Sequence, residues 1–232
     1  MDLVAEGFRQ AIGLIAGADR EIWEILWLSL QVSGSATLIA LALGIPAGAG
    51  LALARFPGRG LVVSAVNTGM GLPPVVVGLF VTLLLWRSGP LGDLEVLYTP
   101  AAIVLAQAVI AAPIVTGITL AAVGQVPREF RLQLLALGAS RIQMVLMVLR
   151  EARLPMLAAV MAGFGGIISE IGASMMVGGN IKGQTRTLTT AMVLETGKGN
   201  FDVAIALSLL LLMLIFLVNW ALTMIQQRRA TG

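Results

Sequence analysis

Five stretches of this chain, residues 25–53, 61–86, 100–124, 154–178 and 203–223, are almost wholly apolar, and each is long enough to cross a bilayer. A spanning helix needs about 20 mostly apolar residues, because a rise of about 1.5 Å per residue must carry it through roughly 30 Å of hydrocarbon. Inside the hydrocarbon no water satisfies the backbone, so a segment of this kind must bond its own N–H and C=O groups as a helix. Of 232 residues, 58% are hydrophobic and only 12% are charged. A soluble domain carries roughly 45–50% apolar and about 25% charged residues. The expectation is an all-α integral membrane protein with about five transmembrane helices, forming a single domain over 1–232. No internal repeat or low-complexity linker divides it.

The chain has neither cysteine nor histidine. It therefore lacks thiolate and imidazole metal ligands and the commonest proton shuttle. No metal or cofactor site is expected in it, and most enzyme mechanisms lose their usual groups. Nothing in the pattern suggests a nucleic-acid partner. Residues 1–20 carry Asp2 and Glu6 where a cleavable signal would be basic, so no such signal is expected. Their apolar residues recur at helical spacing, which predicts an amphipathic helix on the membrane surface, with a soluble tail as the other reading.

Charge orients the spans. Nine of the fifteen Lys and Arg fall after spans one, three and five: Arg55, Arg59, Arg128, Arg131, Arg141, Arg150, Arg153, Arg228 and Arg229. The other six lie on the opposite side among nine acids, including Glu21, Glu24, Asp93, Glu95 and Glu195. Cytoplasmic loops carry the excess of Lys and Arg, so the N-terminus is expected outside and the C-terminus inside. Pro73-Pro74 predicts a break near the middle of span two, either a packing kink or part of a pathway. Gly44 and Pro46 mark a place where span one can bend. Small residues at 44 and 48, 108 and 112, and 162 and 166 predict close helix approach within the bundle.

One cytoplasmic segment, residues 125–155, stands apart. It holds five arginines and apolar residues at helical spacing on both sides of Gly138: Leu132, Leu135 and Ala136, then Ile142, Val145, Leu146 and Leu149. A mere connection gains nothing from an apolar stripe facing water, whereas such a stripe suits a groove on a partner. Gly138 permits the turn between two short helices. The Gly138-Ala139-Ser140 centre resembles the coupling segment of binding-protein-dependent type I ABC importer permeases. Departures from that signature are Leu132-Gln133-Leu134 at its Glu-Ala-Ala positions and a Leu154-Pro155 that falls one helical turn late.

The run from 163 to 207, GFGGIISEIGASMMVGGNIKGQTRTLTTAMVLETGKGNFDVAIAL, is similar to the molybdate and tungstate branch of these permeases, closest to the tungstate type. The resemblance implies a homodimeric permease subunit in a prokaryotic plasma (inner) membrane. It implies cytoplasmic ABC ATPase partners that use ATP-Mg and an external oxyanion-binding protein. ATPase coupling would then fall to Leu132, Leu135, Ala136, Gly138, Ala139 and Ser140. The implied cargo is tungstate, with molybdate, another anion or an amino acid as nearer alternatives. A stand-alone channel or secondary carrier is the rival class, and it would need no docking helices.

Two further features lie in that run. Glu170 is placed about 12 Å below the outer end of span four, where a carboxylate faces protein or a water-filled cavity. Two roles are open for it: structural, accepting bonds from Ser169, Ser174 or a neighbouring backbone, or gating. Asn180, Lys182, Gln184, Thr185, Arg186, Thr187, Thr189 and Thr190 follow on the outer side. They form either a donor-rich anion funnel or the caps of a re-entrant turn. Thr196-Gly197-Lys198-Gly199 is no phosphate loop, since Met192 and Gly199 stand where Gly and Ser/Thr are required.

Overall fold

The computed structural model describes residues 20–230 together with Gly7, Arg9, Ile12 and Gly13. Apart from those four residues and Arg20, the surface helix expected over 1–20 falls outside the described residues. Among the described residues the chain is helical, without strands. In chain order the helices are α1 (Arg20–Leu53), α2 (Arg59–Met70), α3 (Pro74–Leu85), α4 (Pro100–Gly124) and α5 (Arg128–Ala136). They continue as α6 (Arg141–Glu151), α7 (Arg153–Ile168), α8 (Gly172–Gly178), α9 (Leu188–Gly197) and α10 (Phe201–Ala230).

Three helices, α1, α4 and α10, are long and apolar enough to cross a membrane unbroken. The other two expected spans are bent pairs, α2 with α3 at 99° and α7 with α8 at 59°. Among the described residues the spans number three, or five with each bent pair counted as one broken span rather than a re-entrant loop. The first bend falls at Pro73-Pro74, as expected from a residue pair that cannot donate backbone hydrogen bonds. Pro46, by contrast, sits inside α1 without ending it.

The second bend corrects the reading of span four as continuous over 154–178. Residues 169–171 leave the helix, and Glu170 sits in the break rather than on a helical face. Gly163, Gly165, Gly166 and Gly172 crowd this region, and glycine weakens a helix interior by about 1 kcal/mol relative to alanine. Side chains from other segments hold the break, Thr189 donating to the Glu170 carbonyl and Gln107 to that of Ile167.

In lipid, helix association depends on close packing and hydrogen bonds more than on burial of apolar surface. The α1–α4 pair illustrates this. A Cβ at Gly48 would stand 2.5 Å from the Thr116 carbonyl oxygen, and one at Gly44 would stand 2.7 Å from Val115 Cγ1. Around this pair Val32, Ala36, Ile103, Ile110, Val115 and Val177 form the central core. A second core joins the first turns of α1 to α7, α9 and α10 through Ile22, Phe164, Leu188, Leu207 and Leu211. A third, of Ala49, Val123, Val126, Val148 and Ala152, seats α6 on the ends of α1 and α4. Gly166 lies near Ile114, whereas Ala162 is exposed.

The ends of the bundle are distinct. At one, the Tyr98 N–H donates to the Val177 carbonyl at 2.8 Å, and its ring covers Gly179. Glu21 and Lys182 meet at the same end. The α5–α6 hairpin occupies the other.

Candidate functional site

The hairpin is built by local chemistry. Gly138 takes φ +84, the Ala139 N–H donates to the Leu134 carbonyl, and the Gly138 N–H donates to that of Leu135, each at 3.0 Å. This pairing closes a helix on a left-handed glycine and satisfies its last carbonyls. Ser140 then opens α6 with a reciprocal cap: its N–H donates to Gln143 Oε1 at 2.8 Å and its Oγ accepts from the Gln143 N–H at 3.3 Å. Val148 and Leu149 face the bundle, while Leu132, Leu135, Leu137, Ile142 and Leu146 are exposed. Leu137, next to the turn, is 85% exposed. Ala136 is also exposed, and Ala139 is half-buried. The candidate coupling residues are thus gathered on one protruding turn.

Glu170 lies between the two halves of the broken span. Its Oε1 accepts from the Ala173 N–H at 3.2 Å and so caps the start of α8. Ser169, one expected partner, instead donates to the carbonyls of Gly165 and Gly166 in its own helix. Ser174, the other, accepts from Gln107. The carboxylate is half-buried, and its neighbourhood includes the first turn of α3. A Cβ at Gly172 would stand 2.6 Å from Val75 Cγ2 and 3.3 Å from Glu170 Oε1. Farther along, Gly78 of α3 packs on Ala173 of α8. The two broken spans therefore meet beside their breaks.

The stretch after α8 divides into buried and exposed groups. Gly179 and Asn180 take φ +70 and +52 and end α8. Asn180 Nδ2 donates to the Thr190 carbonyl at 3.3 Å. Thr185, fully buried, donates to the Gly178 carbonyl at 2.6 Å and accepts from the Ile181 N–H at 2.9 Å. Thr187 and Thr190 form a reciprocal cap on α9. Thr189 donates to the Glu170 carbonyl at 3.1 Å. These hydroxyls are engaged inside the protein. Gln184 and Lys182 are exposed, and Lys182 and Arg186 reach Glu21 at 2.6 and 3.6 Å. With Glu24 and Arg20 they line an open cleft of about 410 Å³ beside the first turn of α1.

Glu195 closes the next turn. It accepts from Lys198 Nζ and Asn200 Nδ2, both at 2.7 Å. The Lys198 bond first, and the Asn200 bond second, hold its carboxyl below the ordinary carboxylate range against a partial desolvation that acts the other way.

Three polar residues that tie the spans together escaped sequence reasoning. Ser29 Oγ accepts from the Leu188 N–H at 2.9 Å, across 159 residues of sequence. Ser33 Oγ donates to Gln107 Oε1 at 3.1 Å. Gln107 Nε2 donates to the Ile167 carbonyl at 3.1 Å and to Ser174 Oγ at 3.4 Å. The available signal was an amide in the middle of an apolar span.

Residues 41–231 match the family described as binding-protein-dependent transport system inner membrane component. The tungstate uptake system permease protein of Peptoclostridium acidaminophilum is 38% identical over 227 residues, covering 98% of this chain and 100% of that one. A probable anion ABC transporter permease protein of Haloferax volcanii is 44% identical over 197 residues, covering 83% and 85%. A chain of the MetNI methionine ABC transporter, solved in inward-facing conformations, superposes with a TM-score of 0.73 at 20% identity, covering 90% and 98%. At that identity the likeness speaks for the fold alone.

Proposed function

The chain belongs to the binding-protein-dependent transport system inner membrane components, and from that membership we propose that it is the permease subunit of an ABC importer for tungstate. It is a multi-pass inner-membrane transport subunit. The cargo rests on one observation above the others, the end-to-end similarity to a tungstate uptake permease. The working unit is a two-fold homodimer with two cytoplasmic ATPases that bind ATP-Mg and an external protein that selects the oxyanion. The chain itself carries no cofactor and forms one permease domain.

The arginine asymmetry puts the α5–α6 hairpin in the cytoplasm and the Lys182 end outside. The exposed Leu132, Leu135, Ile142 and Leu146 fit an apolar groove on the ATPase. Closure of the ATPases pushes this hairpin. Its seat on Val148 and Ala152 passes the motion to α1 and α4, and α7 follows α6 directly. The bundle then alternates between inward-open and outward-open states. On the outside, the cleft in which Lys182 and Arg186 pair with Glu21 holds three cations against two carboxylates, and this small positive excess favours an arriving oxyanion. Glu170, at the junction of the two broken spans, is the gate residue, because a carboxylate repels an anion until the break moves. The face for the second copy lies among the apolar surfaces the protomer leaves uncovered. The α2 helix, for example, buries no side chain.

A deletion of the gene tests the cargo. Tungstate accumulation, followed by mass spectrometry with molybdate and sulfate as competitors, is expected to lose its high-affinity component and regain it on complementation. Unchanged tungstate uptake, in cells with no second tungstate importer, refutes the assignment. Loss of molybdate or sulfate uptake instead moves the cargo to that anion.

A further inference from the structure

Gln107 is 2% exposed, seven residues into α4 and so about 10 Å along it. Its side-chain amide touches three separate segments: Ser33 of α1, the Ile167 carbonyl at the end of α7, and Ser174 of α8. The amide can be placed only one way round. Exchanging its oxygen and nitrogen would set Oε1 against the Ile167 carbonyl oxygen, acceptor against acceptor. As placed, both N–H bonds and one lone pair are used.

Where the fourth span breaks, the Ile167 carbonyl accepts from the Glu170 N–H at 3.1 Å, which leaves its second lone pair for another donor. Gln107 Nε2 is that donor, and the same nitrogen holds Ser174 on the far side of the break. One amide therefore spans the bend from both sides and anchors it to the closely packed α1–α4 pair. Glu170 lies between the two points it holds.

We propose that Gln107 is a positioning residue of the transport cycle: it sets the angle between α7 and α8, and with it the placement of Glu170, against the α1–α4 frame. The broken span would pivot about this amide. A small motion of α7 is then converted into a defined displacement of α8 rather than into fraying of the break. This inference rests on the permease reading above.

The test uses the whole importer, permease with ATPase and binding protein, reconstituted in vesicles with tungstate. Uptake and ATP hydrolysis are measured together for wild type, Gln107→Leu, Gln107→Glu and Gln107→Asn. In Gln107→Leu, tungstate taken up per ATP is expected to fall about tenfold while the ATPase still binds and hydrolyses, since the bonds to Ser33, Ile167 and Ser174 are lost together. The protonated Gln107→Glu keeps one acceptor and one donor, so it should recover part of the coupling. Gln107→Asn, one methylene shorter, should not. A residue that only stabilised the fold would lower the yield of complex and leave uptake per ATP unchanged, and that result in Gln107→Leu overturns the proposal. If Gln107→Leu yields no complex, Gln107→Glu decides: uptake per ATP equal to wild type overturns it, and a partial loss supports it. A wild-type complex that moves no tungstate would instead refute the cargo reading.

Discussion

Thr189 donates its hydroxyl to the main-chain carbonyl of Glu170 at 3.1 Å, so the first turn of α9 and the break before α8 are one bonded unit. The break is thereby held from two directions, by Thr189 on α9 and by Gln107 on α4. Neither partner is near it in sequence.

Thr189→Val removes that donor while keeping the side chain's shape, and it leaves a half-buried carbonyl short of a partner. The expected loss of stability is about 1–3 kcal/mol, read as a lower melting temperature of the purified protein in detergent. Thr196→Val is the control, because that hydroxyl is exposed and bonds only within its own helix, to the Met192 carbonyl. Equal shifts in the two variants would remove the special standing of the Thr189 bond.

Sidedness is tested by single cysteines, which the cysteine-free chain allows directly. A cysteine at Gln184, which is exposed, should react with a membrane-impermeant thiol reagent in intact cells. One at Ser140 should react only after the membrane is opened. Thr187 would be a poor probe, being buried and part of a helix cap. The opposite pattern would invert the topology.

Docking is tested at Leu135, exposed beside the hairpin turn. Leu135→Asp should leave the protein inserted and stable, since the side chain is exposed and belongs to none of the three cores. Pull-down of the ATPase should be lost, because placing an unpaired carboxylate in an apolar groove costs several kcal/mol. Normal recovery of the ATPase together with normal uptake would reduce the hairpin to a connection.

The Glu195 carboxyl is held low by Lys198 and Asn200. A carboxyl with a lowered folded pKa contributes stability above its unfolded value, about 4.3, and that contribution is lost as the pH falls through the folded value. Melting temperatures taken between about pH 6 and pH 3 should therefore drop less steeply in Glu195→Gln than in wild type. At neutral pH the variant should be the less stable by under about 1 kcal/mol, because Lys198 is half-exposed and screened. Parallel curves would mean that the ion pair contributes nothing.

The amino-acid sequence by itself determined the class, the five apolar segments and the bend at Pro73-Pro74. It also determined the hairpin around Gly138. Each of these follows from properties spread along neighbouring residues: the length of an apolar run, a missing N–H, a residue that tolerates φ +84. The three-dimensional arrangement alone decided what the polar groups do. The Thr185, Thr187, Thr189 and Thr190 side chains looked the same as exposed donors until the fold buried them against Gly178, Glu170 and one another. The second break was hidden because one of the residues that hold it, Gln107, lies sixty residues from Ile167 in sequence. Hydropathy is a sum over adjacent residues and is readable in order. A hydrogen bond in the membrane interior depends on which distant backbone group comes within about 3 Å, and only packing sets that.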